Sequence, residues 1–317
     1  MIDRRTFFRR MAGAGALIAT SQLPVFAEDN PNVFPKRGKY ERLSLSYATV
    51  EIGLEKPFSV LHISDTHLTA AYEHENEKKQ QLHGNRTTTF GGRQEEALHD
   101  ALSWAKQHVV HTGDLIDWQS EANFDLVRKY FGERVIGSLG NHEFSTDMWL
   151  SDPKEEKTEN YKNKTREILQ SVYPFNISLY SQVVNGVNFV TLDDVYGYVT
   201  SEQVEMFKKE VAKGLPIVLC MHVPFFTDNI WRAAVRFWSD KGQMTYSEVP
   251  QPSGDYKRQL EESVTHDFIQ YLKREPLLRC ILAGHEHITV EDQFSPTCRE
   301  YVVAGNFLFH GREVLFV

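Results

Sequence analysis

Residues 58–67 read FSVLHISDTH, and this stretch predicts a short buried strand followed by two side chains suited to holding a metal ion. The first six residues are mostly apolar, and the run is too short for a helix. Asp65 and His67 come directly after the run. Because they are two residues apart where a strand ends, their side chains project to the same side of the chain. A single Asp-x-His motif is weak evidence for a metal site, so the prediction depends on whether similar motifs follow other predicted strands.

The arrangement recurs four more times, each time where an apolar run stops. These runs end at Thr112, Leu139, Met221 and Ala283. The motifs at their ends are Gly113-Asp114-Leu115-Ile116-Asp117, Gly140-Asn141-His142-Glu143, Met221-His222 and Gly284-His285-Glu286-His287. Five such motifs in this order are hard to assemble by chance.

Helical patterns alternate with the apolar runs, which predicts an α/β fold with a largely parallel sheet. Predicted strands cover residues 43–52, 58–63, 109–112, 135–139, 187–192, 217–221 and 279–283. Predicted helices cover residues 93–107, 122–131, 164–172, 201–211 and 264–273. Residues 288–317 return to short strands and suggest a second, partly antiparallel sheet. Ligands of open α/β sheets bind beyond the carboxyl ends of the strands, so we expect the motifs to converge in one crevice, with Gly113, Gly140 and Gly284 allowing sharp turns.

The motifs collect carboxylates, imidazoles and one amide, which is the ligand chemistry of a site for two metal ions. Two adjacent ions need a shared anionic oxygen, and Asp114 is the best candidate because it follows a strand and a glycine. Cysteine is absent from the set, which argues against a thiolate-rich zinc site. Mixed imidazole and carboxylate ligands suit Fe, Mn or Zn. We therefore predict two divalent or trivalent metal ions as cofactors.

The ordered motifs resemble the calcineurin-like metallophosphoesterase superfamily over residues 58–288. The resemblance implies a two-sheet αββα sandwich with the active site at the carboxyl ends of the strands. It implies hydrolysis of phosphoric monoesters or diesters by a hydroxide that the ions hold. It also implies that His142 protonates the leaving group and that Asp117 orients it. The ligands implied for the first ion are Asp65, His67, Asp114 and His287, and those for the second are Asp114, Asn141, His222 and His285.

Two departures from related enzymes narrow the resemblance. Trp118-Gln119 follow Asp117, where the protein serine/threonine phosphatases of this superfamily carry Arg-Gly, and this disfavours a protein phosphatase. Asp117 stands where purple acid phosphatases have a tyrosine, which disfavours the coloured iron–tyrosinate form. Within this superfamily, the motifs most resemble those of bacterial phosphodiesterases and exported phosphatases.

Residues 227–262 break the alternation of strands and helices, and two interpretations stay open for them. The segment is either an insertion that folds over the crevice and contacts substrate, or an extra helix and loop on the sheet edge. Trp231, Phe237 and Trp238 would suit stacking on a nucleotide-like substrate, so Trp231 is a weak substrate-binding candidate. Arg86, in the expected loop after the first motif, is a second weak candidate, for the substrate phosphate.

The N-terminus has the pattern of an export signal. Residues 1–27 combine paired arginines at Arg4-Arg5, an apolar stretch over 11–19 and a small-x-small ending at Ala27. This predicts a twin-arginine signal peptide, with the export machinery as a partner and a periplasmic or exported protein as the product. A polar leader over 28–38 and a metallophosphoesterase domain over 39–317 follow. The apolar stretch is too short and too rich in Gly and Ala for a stable membrane span.

The net charge limits the kinds of binding partner, and the cysteine content limits the number of disulfide bonds. The formal net charge is −8, and it becomes more negative once the arginine-rich leader is removed. An acidic surface repels nucleic-acid backbones and anionic membranes, so we expect a small phosphorylated substrate and no nucleic-acid partner. Bound metal ions would make the pocket itself attract anions. Three cysteines are too few for a disulfide framework, and whether two of them bond stays open.

Two alternatives to an enzyme are a catalytically inactive scaffold with this fold and a metal-binding or storage protein. Loss of ligands would mark the scaffold, and no ligand of the pattern is lost. The storage protein would not need His142 and Asp117, which bind no metal in the family scheme. Both residues are present, which favours the hydrolase.

Overall fold

A computed structural model describes residues 43–105, 107–132, 134–146, 158–239 and 244–317. The predicted signal peptide (1–27) and polar leader (28–38) lie outside the described residues, so both stay predictions. Among the helices that the structure describes, none has the length and apolar character needed to cross a membrane.

The described residues form mixed α/β structure. The strands are β1 (Ser44–Val50), β2 (Phe58–Ile63), β3 (Val109–Thr112), β4 (Val135–Ser138), β5 (Leu179–Val184), β6 (Val187–Leu192), β7 (Ile217–Cys220), β8 (Leu278–Ala283), β9 (Val290–Ser295), β10 (Cys298–Val302) and β11 (His310–Phe316). The α-helices are α1 (Glu77–Thr89), α2 (Gln94–Trp104), α3 (Glu121–Tyr130), α4 (Glu159–Val172), α5 (Ser201–Val211), α6 (Asp228–Trp238), α7 (Gly254–Glu261) and α8 (Ser263–Leu272).

Most predicted elements are confirmed to within a few residues, and the exceptions have local causes. Strand β5 was not predicted because polar residues interrupt it, although Asn185-Gly186 after it is a hairpin signal and both residues have positive φ. Helix α1 was not predicted because it has no apolar stripe, and Leu82 and Arg86 are its buried residues. Arg86 therefore lies on a helix and not in a loop.

The strands form two sheets, of order β1-β11-β2-β3-β4 and β5-β6-β7-β8-β10-β9. The pairs β2/β3, β3/β4, β6/β7 and β7/β8 are parallel, as predicted. A second, partly antiparallel sheet is present as expected, but residues 288–317 contribute to both sheets. Strands β9 and β10 extend the sheet of β5–β8, whereas β11 enters the other sheet between β1 and β2. The last strand can take this central place because Gly311–Phe316 is buried throughout.

The two sheets pack face to face with helices outside, which confirms the αββα sandwich. Phe58, Phe189 and Phe316 meet between the sheets, with ring centroids 5.2–6.4 Å apart. Helices α2, α3 and α4 cover the outer face of the first sheet, and α5 to α8 cover that of the second. Strands buried on both faces read as continuous apolar runs, which is why they were recognisable in the sequence.

The three cysteines are buried, free thiols. Cys220 lies on β7 and Cys280 on β8, as expected of buried strand residues. Cys298 begins β10. The question of a disulfide, left open by the sequence, is answered by their free state.

Candidate metal centre

The five motifs meet at one end of the sandwich, where β2, β3 and β4 of one sheet and β7 and β8 of the other terminate. Backbone hydrogen bonds join the loops that follow these strands. The Asp65 amide donates to the Gly113 carbonyl at 3.0 Å, and the Gly284 amide donates to the His222 carbonyl at 3.0 Å. The His285 amide donates to Asp65 Oδ2 at 3.0 Å, which ties the two sheets together. The predicted convergence in one crevice is therefore present.

A first cluster of ligand atoms comes from the loops after β2 and β8. Nε2 of His67 lies 3.1 Å from Nε2 of His287. Asp65 Oδ1 lies 3.4 Å from Nε2 of His287 and 4.0 Å from Nε2 of His67. The side chains of Asp65 and His67 are fully buried, whereas that of His287 is partly exposed. These three side chains can hold one ion.

A second cluster comes from the loops after β4, β7 and β8. Oδ1 of Asn141 lies 3.0 Å from Nδ1 of His285 and 3.2 Å from Nε2 of His222. The two imidazole nitrogens are themselves 3.2 Å apart. The three atoms thus form a compact triangle that can hold a second ion.

Asp114 lies between the two clusters. Its Oδ2 is 3.3 Å from Nε2 of His222 in the second cluster and 3.8 Å from Nε2 of His67 in the first. Its Oδ1 accepts a hydrogen bond from the His142 amide at 2.9 Å, which sets the orientation of the carboxylate. One oxygen that faces both clusters is the geometry that a bridging ligand requires.

The donor set fits metal ions because the Nδ1 atoms of His67 and His222 are bonded outside the clusters, which directs Nε2 of each ring into them. Nδ1 of His67 donates to Asp117 Oδ1 at 2.8 Å, and Nδ1 of His222 donates to the Thr112 carbonyl at 2.7 Å. In the neutral rings this leaves Nε2 of each with a lone pair, pointed at another nitrogen or oxygen acceptor. Such a tautomer, held by the ring nitrogen that does not bind metal, is usual for metal-binding histidines.

The electrostatics of the cluster also call for positive charge. Burial alone would raise the pKa of Asp114, but the imidazoles of His222 and His142 hold it well below its usual range. Burial lowers the pKa of His222, yet the Asp114 carboxylate overrides this and raises it to about 10. Two buried carboxylates without cationic partners would be costly, so cations stabilise the arrangement.

The sequence model of the calcineurin-like phosphoesterases matches residues 58–289. This chain belongs to that family. The match spans every motif of the two clusters, from Asp65 to His287, and ends just beyond the last histidine. Members of the family typically use two metal ions, and the clusters described above are the candidate ligands in this chain.

Solved structures similar to this family member include a dimetal phosphatase from Danio rerio, at 14% identity over 79% of this chain and 88% of that one, with a TM-score of 0.37. A purple acid phosphatase from yellow lupin seeds has 14% identity over 80% of this chain and 45% of that one, with a TM-score of 0.44. A 5'-nucleotidase from Candida albicans has 10% identity over 84% of this chain and 48% of that one, with a TM-score of 0.40. The chain thus spans about half the length of the plant and Candida proteins. No curated protein matches it.

The backbone of this phosphoesterase is strained at the ligands. Asp65, His67, Asp114, His285 and His287 have φ between +50° and +69°. Residues with side chains rarely adopt this left-handed conformation, and outliers of this kind concentrate at functional sites. Packing and hydrogen bonds around the strand ends must therefore hold the loops in place.

Two glycines of the phosphoesterase motifs, Gly113 and Gly284, are required for different structural reasons. Gly113 has φ of +92°, which supports the expected sharp turn, and a Cβ there would lie 2.5 Å from Nδ1 of His222. Gly284 has no positive φ, but a Cβ there would overlap Ser64 Oγ and lie 2.7 Å from Asp65 Oδ2. Close approach of two loops, and not turn geometry, is therefore the requirement at Gly284.

Buried carboxylates that sequence reasoning undervalued hold the loops of the site. Glu143, the last residue of its motif, accepts from the backbone amides of Gly140, Asp114 and Leu115 at 2.7–3.0 Å. Asp194 accepts from the His222 amide at 3.0 Å. Burial raises the pKa of both Glu143 and Asp194 to about 7. For Asp194, the signal was its place directly after strand β6, like the ligands after their strands.

Another carboxylate reaches the second cluster from the segment 227–262. Oδ2 of Asp255, on α7, lies 3.6 Å from Nε2 of His285, the ring nitrogen that faces away from Asn141. No local pattern in the sequence marks this aspartate, because its proximity depends on how α7 packs. Asp255 is therefore a residue of the site that sequence reasoning missed.

The two predicted catalytic residues lie beside the first cluster. Nδ1 of His142 lies 2.6 Å from Asp117 Oδ1, which leaves its Nε2 3.8 Å from Asp114 Oδ2. Asp117 is fully buried and also contacts His67. It therefore holds a predicted metal ligand and the predicted proton donor at once.

Arg86 completes this network from α1. Its Nε and Nη2 both donate to the Asp117 carboxylate, the latter at 2.9 Å to Oδ1, and its guanidinium lies 4.7 Å from the Phe90 ring centroid. It is 8% exposed. The guanidinium is directed at Asp117, and its expected contact with substrate phosphate stays a prediction.

Trp231, the other weak substrate-binding candidate, is largely buried, and its contact with substrate stays a prediction. It is 8% exposed, its indole N–H donates to the Pro250 carbonyl at 3.0 Å, and its ring packs on Tyr256. It anchors α6 to the rest of the segment 227–262. At the other end of α6, Trp238 lies next to His287, with ring centroids 5.4 Å apart. Helix α6 thus packs on the protein and also reaches the site, and contact of the segment with substrate stays a prediction.

Proposed function

We propose that this protein is a metal-dependent hydrolase of phosphoric esters. The observation that carries the proposal is the pair of ligand clusters that share Oδ2 of Asp114, with His142 beside them but bonded to Asp117. A storage site needs no such imidazole, whereas a hydrolase needs a proton donor for the leaving group.

The ligands divide between the two ions according to the clusters. Asp65, His67 and His287 would hold the first ion, Asn141, His222 and His285 the second, and Asp114 both. When bound, two such ions activate water and neutralise the charge on the transferred phosphoryl group. The site would then attract anionic esters although the chain is acidic.

His142 has the properties of a general acid. Its Nδ1 is occupied by Asp117, so the proton available to a leaving oxygen is the one on Nε2, in a side chain that is 12% exposed. Burial lowers the pKa of His142, but Asp114 and Asp117 outweigh burial and raise it to about 9. The Asp117 carboxylate, which the proposed ions do not occupy, favours the protonated ring. A positioned acid of this kind contributes about 10²–10⁴-fold to the rate.

The proposal is tested by metal analysis together with two substitutions. We expect close to two ions per purified chain, and loss of most turnover on aryl phosphates for Asn141→Ala and His142→Ala. Only Asn141→Ala should also lose metal, because the family scheme assigns His142 to proton transfer and not to metal binding. His266→Ala, at an exposed histidine on α8, is the matched control and should keep full activity. Full activity of both site variants would reject the mechanism.

The ester class is a separate proposal. We expect a small phosphorylated substrate, monoester or diester, and a side-by-side screen of both classes with Mn, Fe, Zn and Co decides between them. Turnover that is confined to one class and one metal loading would define the enzyme type. Hydrolysis of neither class with any metal would contradict the proposed function.

We also propose export by the twin-arginine route, supported by Arg4-Arg5 and the apolar stretch that follows. This route carries folded proteins, so the metal ions would be inserted before export, where a weaker-binding metal such as Mn or Fe can be selected. Replacing both arginines by lysine should keep the protein in the cytoplasm. A version sent through the general secretory route should carry a different metal mixture, and an identical mixture would contradict the idea.

A further inference from the structure

Two large aromatic side chains are exposed at the end of α6. Phe237 is 49% exposed and Trp238 is 57% exposed. Their ring centroids are 5.0 Å apart at an interplanar angle of 82°, so they form one continuous surface, called here the aromatic shelf. An exposed apolar pair next to a polar site calls for an explanation, because such surfaces often mark binding sites.

The shelf adjoins the first metal cluster. The Trp238 ring centroid is 5.4 Å from that of His287. The indole N–H donates to Glu286 Oε2 at 2.9 Å, and Glu286 is a buried residue between the two histidines of its motif. This bond fixes the indole against the loop that carries His285 and His287, while more than half of the side chain stays open to solvent.

The helix that carries the shelf is itself firmly held. On its inner face Ile230, Trp231 and Ala234 are buried. Asn229 at its start donates to the Glu291 carbonyl of β9 at 3.1 Å. A ligand that stacks on a surface fixed in this way pays little entropy for ordering it.

We propose that the aromatic shelf binds a planar ring on the organic half of the ester substrate, which rests on the proposed function of the metal centre. The phosphoryl group would lie at the metal centre and the ring against the exposed face of Trp238. Indole is a strong stacking partner for flat π systems, and stacking tolerates different rings. The ring is therefore that of an aryl ester or of a nucleobase, which share this chemistry.

The proposal is tested with pairs of substrates in which one member carries a planar ring and the other does not. Phenyl phosphate is compared with ethyl phosphate, and adenosine 5'-monophosphate with ribose 5-phosphate, or the matching methyl diesters if the enzyme prefers diesters. For Trp238→Ala we expect KM to rise about tenfold for the member that carries a ring, since loss of one stacking contact weakens binding by about that factor. The ring-free member should change less than about twofold, and Trp238→Phe should restore most of the difference.

Val183→Ala provides a matched control, because Val183 is 50% exposed on the edge strand β5. It should leave both members of each pair unchanged. A response of the phenyl pair alone identifies an aryl ester as the substrate class, and a response of the nucleotide pair alone identifies a nucleobase. Equal changes in KM for ring-bearing and ring-free members overturn the shelf, while the hydrolase proposal stands.

A binding measurement separates the shelf from the catalytic proposal. Phenylphosphonate, which cannot release its ring by ester hydrolysis, is titrated into the wild type and Trp238→Ala by calorimetry, with ethylphosphonate as the ring-free probe. We expect Trp238→Ala to weaken phenylphosphonate alone, by about tenfold. If no ester is hydrolysed but this difference persists, the hydrolase proposal fails and the shelf stands. Equal binding by both proteins overturns the shelf.

Discussion

Replacing Arg86 by methionine is the substitution that best separates the network around Asp117 from direct substrate contact. Arg86 donates two hydrogen bonds to the Asp117 carboxylate, and Asp117 in turn contacts His67 and His142. Methionine keeps much of the apolar stem on Phe90 and removes the charge. The substitution therefore leaves Asp117 buried with the two imidazoles alone.

The magnitude follows from the burial of the pair. Removing one partner of a buried ion pair costs about 3–5 kcal/mol, and the two remaining imidazoles favour the lower end. For a domain of this size that lowers the melting temperature by roughly 6–12 °C. Displacement of His142 should lower kcat by about 10–100-fold, part of the 10²–10⁴-fold that a positioned acid provides.

The assay is steady-state kinetics on an aryl phosphate at saturating metal, with metal content and thermal unfolding of the same samples. We expect KM to stay within about twofold and the metal content to stay near two ions, because the Arg86 guanidinium is bonded to Asp117 and acts through it. Arg86→Lys should recover part of kcat by keeping the charge. Arg128→Met, which removes a half-exposed arginine from α3, controls for loss of charge. A large rise in KM with unchanged kcat would refute the reasoning and restore Arg86 as a substrate contact.

Three further predictions concern stability. The Gly284→Ala variant should lose metal and about 1–3 kcal/mol of stability, because the new methyl group overlaps Ser64 Oγ. Metal analysis and urea unfolding measure the two effects, and retention of both metal and stability would contradict the packing argument. Lys162→Met should lower the free energy of unfolding in urea by about 3–5 kcal/mol, because the Asp193 carboxylate, which lies 3.0 Å from Nζ, loses its buried partner. Adding Asp193→Leu should recover part of the loss. Additive effects of the two substitutions would contradict the pairing. Burial holds the pKa of His62 well below its usual value, so the unfolded chain takes up a proton below about pH 6.5 that the folded chain refuses. Stability should therefore fall as the pH drops from 7 to 5, and His62→Gln should reduce that slope by up to about 1.4 kcal/mol per pH unit at saturating metal; an unchanged slope would contradict the assignment.

Much of the architecture was predictable because it is encoded locally. Strands β2, β3 and β6 have the predicted bounds, since strands buried on both faces are continuous apolar runs of recognisable length. The position of the motifs directly after such strands also predicted that they would share one crevice. Parallel strands place their carboxyl ends at the same edge, so this convergence follows from strand direction alone.

The residues of the site could be predicted from the sequence, but their arrangement could not. The motifs named the ligand residues, but not that Oδ2 of Asp114 faces His67 and His222 together. Nor did they reveal the left-handed backbone at the ligands, or Glu143 as the acceptor for four loop amides. These features depend on distances between loops of two different sheets, which no sequence window contains.

The α/β class, the strand ends and the set of side chains offered to metal follow from the amino-acid sequence, because hydrophobic periodicity and residue chemistry are local properties. The place of β11 in the first sheet, the bond of Arg86 to Asp117 and the contact of Trp238 with His287 could be read only from the folded chain. In each case the outcome depends on packing between residues far apart in the chain. A local pattern shows that a residue is apolar, charged or aromatic, but the partner it meets is chosen by the fold.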